Sequence, residues 1–205
     1  MNSVISARLL GIAVLLSQPV FAAECTWKNF PTPQARSLTA SSAAVGPTFP
    51  NAFNMVCETG LGLITDSPVS FGIHLNPGQY GDPNEIAYVR DRGIETFSSL
   101  LVILGHYVPT HSDGRPTECY GGGKATFSMF AELMDGTRRK LMAPVIVTTT
   151  ERVKKRINIK GADIRYIILV TSPGPGGHLW CNTAFWGEPY LILPTEELMI
   201  PKDYH

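Results

Sequence analysis

The stretch GGHLWCNTAFWGEPYLIL, residues 176–193, places two tryptophans around a cysteine and an asparagine. An indole ring can stack on the apolar face of a pyranose, and an amide both donates and accepts hydrogen bonds to sugar hydroxyls. We therefore predict sugar contacts from Trp180, Asn182 and Trp186. The alternative for Trp186, beside the apolar run that follows it, is core packing. The alternative for Asn182 is a turn position.

An earlier segment, FGIHLNPGQYGDPNEIAYV at 71–89, adds three candidates. His74 is predicted to contact the same ligand, and its alternative role is a structural hydrogen bond to the backbone. Tyr80 and Asn84 lie in the polar run NPGQYGDPN, which is typical of a surface loop. We predict that they form the rim of the binding pocket, because such loops carry binding residues on rigid scaffolds.

The segment GHYVPTHSDGRPTECYGGG, residues 105–123, contains side chains used in metal binding and hydrolysis. His106, His111 and Asp113 are potential metal ligands, but their spacing matches no zinc signature. Ser112 lacks the GxSxG turn that exposes a nucleophile in one large class of hydrolases. A long surface loop is the simpler interpretation.

Glycoside cleavage requires two carboxyl groups held at a defined separation. The acids Glu132, Asp135, Glu151 and Glu188 all have ordinary explanations at strand ends or turns. We therefore expect no catalytic residues and no enzymatic activity, and a glycoside hydrolase is the second of two alternative functions.

Basic residues cluster in TRRK (137–140) and ERVKKR (151–156). If these segments form paired strands, their side chains make one patch that could bind an anionic polymer. Protection of an edge strand against aggregation is the other interpretation. The members of this basic patch are Arg138, Arg139, Lys140, Arg152, Lys154, Lys155 and Arg156.

The elements that position these residues are predicted to be short strands. From Leu61 onward, apolar or alternating runs are separated by Pro, Gly, Asn and Asp. In KATFSMFAELMDG, apolar and polar side chains alternate before an Asp-Gly turn, which indicates a half-buried strand entering a hairpin. VKKRIN resembles an exposed strand and DIRYIILVTS a central one. We predict an all-β protein, an antiparallel β-sandwich of the jelly-roll type with an irregular N-terminal arm.

The N-terminus, MNSVISARLLGIAVLLSQPVFAAEC, has the pattern of a cleaved signal peptide. We predict cleavage after Ala22, a secreted or periplasmic mature protein, and no membrane anchor, since Glu24 rather than a small residue precedes Cys25. The predicted ranges are 1–22 for the signal, 23–60 for the arm, 61–193 for the sandwich and 194–205 for a C-terminal tail. With 17 basic and 17 acidic residues, net charge favours no particular partner, and we expect no nucleic acid.

Four cysteines in an exported chain predict two disulfides. Sequence allows three pairings, of which we prefer Cys25–Cys57 with Cys119–Cys181, because the first would fix the arm. No CxxC pair occurs, so zinc and thioredoxin-like chemistry are not expected.

Four segments, in order, resemble the NPCBM family, the novel putative carbohydrate-binding module also known from glycosyl hydrolase family 98. They are FGIHLNPGQYGDPNEIAYVRDRGIETFSSLLVILG, ATFSMFAELMDG, INIKGADIRYIILV and CNTAFWGEPYL, within 61–193. In the first segment the matching positions are Gly72, His74, Ile86, Tyr88, Phe97 and Gly105.

The resemblance implies a galactose-binding-like sandwich that binds a galactose-like sugar through loops at one end, and a structural calcium ion without other cofactors. We therefore expect a secreted, non-catalytic protein whose partner is a glycan. The first alternative is a structural or interaction protein that recognises anionic polymers through residues 138–156.

Overall fold

The computed structural model describes residues 31–32, 34–38, 53–57, 71–77, 82–89, 94, 96–106, 123–148, 151–161, 163–176 and 184–205. Residues 37, 53–57, 71, 74 and 89 are described by their backbone alone. Within these ranges the chain forms ten strands and one short 3₁₀ helix, Pro194–Met199. The strands are β1 Arg36–Ser37, β2 Phe53–Cys57, β3 Phe71–Leu75, β4 Asn84–Val89, β5 Ser99–His106, β6 Lys124–Leu133, β7 Arg138–Thr148, β8 Val153–Asn158, β9 Ile164–Pro173 and β10 Ala184–Ile192.

Two antiparallel sheets face each other. The first, sheet A, has the order β2-β3-β10-β5-β8, with β1 added beside β10. The second, sheet B, has the order β4-β9-β6-β7. Strand β3 pairs with β10, β4 with β9, β5 with β8 and β6 with β7. This is one long antiparallel hairpin, β3 to β6 against β7 to β10, wrapped into two layers. The pairing confirms the predicted jelly-roll β-sandwich.

The strongest strand pattern in the sequence explains the centre of sheet B. In β6, Ala125, Phe127, Met129 and Ala131 are all fully buried between the sheets. The intervening residues lie on the outer face, because successive side chains of a strand point to opposite sides. The predicted hairpin is also confirmed: residues 134–137 form the turn to β7, and Gly136 there has φ of 83°.

Several residues of the family-like motifs belong to the core. Ile86 and Tyr88 on β4 are fully buried, and Phe97 is nearly so. Burial raises the pKa of the Tyr88 phenol far above its usual range. Gly72 on β3 is required by packing: a Cβ there would lie 2.0 Å from Cε2 of Phe185 and 2.7 Å from the carbonyl oxygen of Trp186. These motif residues therefore specify the sandwich rather than a ligand.

The C-terminal tail, residues 194–205, covers part of the outer face of sheet A. Leu101, Tyr190 and Ile192 form a small buried cluster there with Ala35, and Ile200 and Tyr204 of the tail pack against it. Strands β1 and β2 fall in the range 23–60 predicted as an irregular arm. Part of that range therefore extends sheet A.

Among the described residues, no helix has the length and apolar character needed to cross a membrane.

Candidate functional site

The hairpin topology gathers four interstrand connections at one end of the sandwich. Strands β3, β5, β7 and β9 end there, and β4, β6, β8 and β10 begin there. The register brings the end of β5 beside the start of β10, with His106 opposite Ala184. It brings the start of β4 beside the end of β9, with Asn84 opposite Thr171. We call this region, bounded by these strand ends, the His106 end.

Specific hydrogen bonds fix the strand ends from which the connections depart. The amide oxygen of Asn76 accepts a hydrogen bond from the backbone NH of Ala184 at 2.8 Å, which joins the exit of β3 to the entry of β10. The NH of Gly174 donates to the carbonyl of Lys124 at 2.8 Å, which joins the exit of β9 to the entry of β6. The connections 76–83 and 174–183 therefore leave from a rigid and closely spaced frame.

Trp186 is a core residue. Its exposed fraction is 0 %, and its Nε1 donates to Oγ1 of Thr171 across the two sheets at 3.0 Å. The ring also meets Phe127 edge to face, with centroids 5.3 Å apart. A fully enclosed indole has no face open to a sugar. We therefore remove Trp186 from the predicted sugar-binding residues. The structure shows its alternative role, which was packing in the core.

Asn84 is also fully buried, although the sequence places it in a polar segment. It is the first residue of β4, in the part of the strand that alternates inward with Ile86 and Tyr88. Its side chain is thus directed between the sheets and cannot form a pocket rim. The prediction of a rim contact from Asn84 is corrected accordingly.

His106 is a buried residue in contact with β6 and β7. Its ring is fully buried, its Nε2 lies 3.0 Å from the carbonyl oxygen of Val147, and it meets Phe127 edge to face. The Nε2 atom therefore donates, which fixes the tautomer and leaves Nδ1 without a hydrogen-bond partner among the described residues. Burial lowers the pKa of His106, and the nearby Arg152 cation lowers it further, while the Val147 bond opposes both.

Arg152, just before β8, binds the same strand end. Its guanidinium donates to the carbonyl of His106 and, at 2.7 Å, to that of Glu151. Its side chain packs over Gly105, where a Cβ would lie 2.7 Å from Cδ of Arg152. Among the described residues, no group of three or more His, Cys, Asp or Glu side chains could hold a metal ion.

The remaining predicted sugar contacts are not described by the structure. Tyr80, Trp180 and Asn182, like His111, Ser112 and Asp113, lie outside the described residues. His74 is described by its backbone only, in β3 opposite Phe185 and Asn54. Cys25, Cys119 and Cys181 also lie outside these ranges, and Cys57 is described by backbone alone, so the disulfide pairing stays a prediction.

Two of the candidate catalytic acids are engaged in turns. Asp135 accepts hydrogen bonds from the NH and the hydroxyl of Thr137 at 2.9 and 2.7 Å, and these bonds lower its pKa. Glu151 accepts from the NH of Thr148 at 2.9 Å, which lowers its pKa as well. The two lie beyond opposite ends of β7. Neither arrangement raises a carboxyl pKa, as a general acid in glycoside cleavage would require.

The predicted basic patch depended on pairing between β7 and β8. Strand β7 pairs with β6 in sheet B, whereas β8 pairs with β5 in sheet A, so that condition is not met. The connection between them crosses from one sheet to the other. Four of the seven basic residues are also bound to acids: Arg138 to Glu85, Arg139 to Asp163, Lys154 to Asp203 and Arg156 to Glu197. Both strands form sheet edges, the position that the edge-protection interpretation requires.

Sequence analysis overlooked the outer face of sheet B. Phe130 on β6 and Tyr166 on β9 are half-buried on this face, and Ile168 between them is almost fully buried. The signal was present in the sequence. Phe130 interrupts the polar positions of β6, where Thr126, Ser128 and Glu132 face outward.

No family model matches the chain, and no curated protein matches it. The resemblance to the NPCBM family thus remains a prediction. Among the similar solved structures is the CBM51 module from Clostridium perfringens GH95 in complex with methyl-galactose, at 15% identity and a TM-score of 0.43, covering 78% of this chain and 92% of that chain. Another is the CBM22-1 xylan-binding domain from Paenibacillus barcinonensis Xyn10C, at 10% identity and a TM-score of 0.43, covering 78% and 91%. A third is CBM28, specific for non-crystalline cellulose, at 9% identity and a TM-score of 0.34, covering 68% and 84%.

Proposed function

We propose that this protein is an exported, non-catalytic carbohydrate-binding protein that holds a galactose-like sugar at the His106 end. The observation that carries the proposal is the strand pairing around this end. Because β3 pairs with β10 and β4 with β9, the connection containing Tyr80 and the connection containing Trp180 and Asn182 start and finish at neighbouring strands.

The frame beneath these connections suits a binding site. The Asn76 bond to Ala184 and the Trp186 bond to Thr171 hold the strand ends of both sheets in place. Rigid strand ends reduce the entropy lost when connecting residues close on a ligand. A stacking tryptophan with an amide beside it would supply the apolar and polar contacts that a sugar ring needs.

A binding role without turnover agrees with the two acids Asp135 and Glu151. Asp135 and Glu151 are ionised turn residues far from each other, and neither is prepared to protonate a leaving group. We expect no hydrolysis of chromogenic glycosides by the mature protein. Turnover that a single acid substitution abolishes would contradict the proposal.

The signal-peptide pattern at residues 1–22 supports export, and the family resemblance supports a structural calcium ion. The calcium proposal is tested by thermal unfolding with and without EDTA. A decrease in the melting temperature that added calcium reverses would support it, and superimposable curves would contradict it.

The sugar proposal is tested by a glycan array on the mature protein, followed by calorimetric titration with methyl-galactoside. We expect saturable binding that Trp180→Ala removes. Trp27→Ala, at a tryptophan of the N-terminal arm, is the matched control and should bind normally. An array without saturable binding to any neutral glycan would refute the proposal.

A further inference from the structure

The C-terminal tail is anchored firmly through its 3₁₀ helix. Glu196 is 5 % exposed and accepts hydrogen bonds from the Thr32 hydroxyl at 2.7 Å and from the Gln34 NH at 2.9 Å. The side chain of Glu197 is 15% exposed and pairs with Arg156 on β8. Hydrogen bonds to buried charged groups are strong, and leaving such a group without its partners is costly. This half of the tail therefore stays on the sandwich.

The end of the tail, residues 200–205, is held more weakly, and we call it the flap. An ion pair joins its Asp203 to Lys154 on β8, with side chains 57% and 39% exposed, and pairs as exposed as this contribute little to stability. The Arg156 NH donates to the His205 carbonyl at 3.2 Å, at the edge of sheet A. A partly buried terminal segment opens locally at a much lower free energy than the whole domain unfolds. The flap can therefore open while the helix before it stays attached.

The flap covers an apolar surface on the outer face of sheet A. Register places Tyr190 of β10, Leu101 of β5 and Arg156 of β8 in one row. Tyr190 and Leu101 are almost fully buried, and with Ile192 they belong to the cluster against which Tyr204 packs. Opening of the flap exposes these side chains to solvent. We call the surface made by Leu101, Tyr190, Ile192 and Lys154 the tail dock.

A cation and an anion lie beside this apolar surface. The Lys154 ammonium pairs with Asp203 and lies 5.3 Å from the centroid of the Tyr204 ring, an attractive position for a cation. Burial, and after it the nearby Glu188 carboxylate, raises the pKa of the Tyr204 phenol, and the same two causes raise the pKa of Tyr190. Because Glu188 repels a simple anion, the tail dock favours a ligand that brings an aromatic ring together with its acid.

A β-bulge shapes the β10 side of the tail dock. The pairing of β10 with β5 shifts between Gly187 and Tyr190, and Glu188 within this shift has φ of 46°. A residue with a side chain adopts this left-handed region at a cost, and such strain is typical of binding and active sites. Bulges re-aim side chains and are common beside active sites. Covering an apolar cluster requires neither feature, so we interpret both as parts of a binding surface.

We propose that the tail dock is a binding surface for a partner polypeptide, which residues 200–205 occupy as an intramolecular substitute. The partner is an extended segment with an acid directly before an aromatic residue, the order of Asp203 and Tyr204 in the flap. It binds only when the flap is open, so the flap is autoinhibitory. The inference concerns a polypeptide rather than a sugar, and it does not depend on the proposed function.

Each group of the tail dock has a role toward this partner. The acid pairs with Lys154, and the ring packs on Leu101 and Tyr190 beside that ammonium. A main-chain carbonyl accepts from the Arg156 NH at the edge of β8, as in the addition of a strand to a sheet edge. The flap makes these contacts itself, which shows that the surface can hold such a segment.

Fluorescence polarisation tests the site with a labelled peptide of residues 198–205, LMIPKDYH. The control peptide has asparagine and alanine in place of the acid and the aromatic residue. In the full mature protein, Asp203→Asn combined with Tyr204→Ala weakens the flap and leaves the tail dock unchanged. We expect this double variant to bind LMIPKDYH about tenfold more tightly than the wild type, because apparent affinity scales with the fraction of open molecules. The control peptide should bind neither protein.

A charge reversal in the tail dock identifies the surface that binds the peptide. Lys154→Glu, added to the double variant, should abolish the gain, since the acid of the peptide then meets a like charge. Lys140→Glu, at an exposed cation on β7 in the other sheet, is the matched control and should retain it. The proposal is overturned if Lys154→Glu and Lys140→Glu behave alike, or if the folded double variant binds the peptide no better than the wild type.

Thermal unfolding identifies any variant that does not fold. If the double variant fails this check, Asp203→Asn alone changes an exposed side chain and leaves the packing of Tyr204 in place. It should still increase peptide binding several-fold, and affinity equal to that of the wild type would refute the tail dock.

Discussion

At the His106 end, hydrogen bonds between single polar atoms determine which residues are buried. A sequence pattern does not show these bonds, so it can assign a core residue to the binding site. The indole NH of Trp186 and the hydroxyl of Thr171 satisfy each other inside the sandwich. In sequence, Trp186 and Trp180 are equally plausible sugar contacts. What separates Trp186 is a partner fifteen residues away, on a strand of the opposite sheet. The same kind of long-range contact places Asn84 inside, although its neighbours Asp82 and Pro83 are exposed.

The Thr171–Trp186 bond gives a stability prediction. Thr171→Val preserves shape but leaves the buried indole NH without an acceptor, so we expect a loss of about 1 to 3 kcal/mol in the free energy of unfolding. Urea denaturation measures it. Thr126→Val removes a weaker, partly buried bond of 3.3 Å to the Pro173 carbonyl and should cost less. Equal losses in the two variants would contradict this ranking.

His106 gives a prediction about pH. Its pKa is lowered in the folded protein, chiefly by burial, from an ordinary value of 6.5. The unfolded chain therefore takes up a proton at a higher pH than the native protein, and this contribution to stability is complete above that value and is lost as pH falls below it. Unfolding free energies measured from about pH 7 to about pH 5 should fall more steeply for the wild type than for His106→Gln. Parallel pH profiles would show that His106 does not titrate in this way.

At the scale of strands, local pattern predicts which segments form strands, and topology decides which of them meet. The alternation of β6 and the continuous apolar run of β9 correctly predicted a half-buried strand and a central one. The pairing of β7 with β8 on which the basic patch depended does not occur, because the chain crosses to the other sheet between these strands. Nothing local in residues 149–152 distinguishes a hairpin from a crossover to the other sheet.

Two glycines test how closely the strands of sheet A are packed. In Gly72→Ala the new methyl group meets the Phe185 ring and a backbone carbonyl, so we expect a loss of about 2 kcal/mol or more in the free energy of unfolding. In Gly105→Ala the atoms nearest to the new methyl group belong to the Arg152 side chain, which can rotate away, so the loss should be smaller. Chemical denaturation ranks the two. A larger cost at Gly105 would mean that Arg152 is held more rigidly than the backbone of β10.

For the molecule as a whole, the two ends of the described chain stabilise each other. Glu196 of the tail accepts hydrogen bonds from the Thr32 hydroxyl at 2.7 Å and from the Gln34 NH at 2.9 Å. Glu197 accepts from Ser98 and Ser99 of sheet A and pairs with Arg156. The tail thus holds the arm and covers the apolar cluster of Leu101, Tyr190 and Ile192.

Removal of the Glu196 contacts should loosen the arm before the sandwich. In Glu196→Gln one acceptor oxygen is replaced by a donor, so we expect faster hydrogen exchange at 34–38 and a loss of about 1 to 3 kcal/mol in the free energy of unfolding. Asp82→Asn, at an exposed acid outside the tail, is the charge-matched control. Unchanged exchange at the Gln34 amide would show that the carboxylate does not hold the arm.

The wrapped hairpin also has a consequence for the order in which the chain can fold. Residues 71–75 of β3 pair with the preceding strand β2, but their second partner lies in 184–192, and 36–37 pair with the same late strand. Such distant pairings are slow to form and cannot be completed while the C-terminal residues are still being synthesised. For a chain with the N-terminal pattern of an exported protein, this delay keeps the sandwich open until its last strand is available. A fold that closes last at its C-terminus would suit the export proposed above, because a chain that crosses a membrane does so as an extended polypeptide.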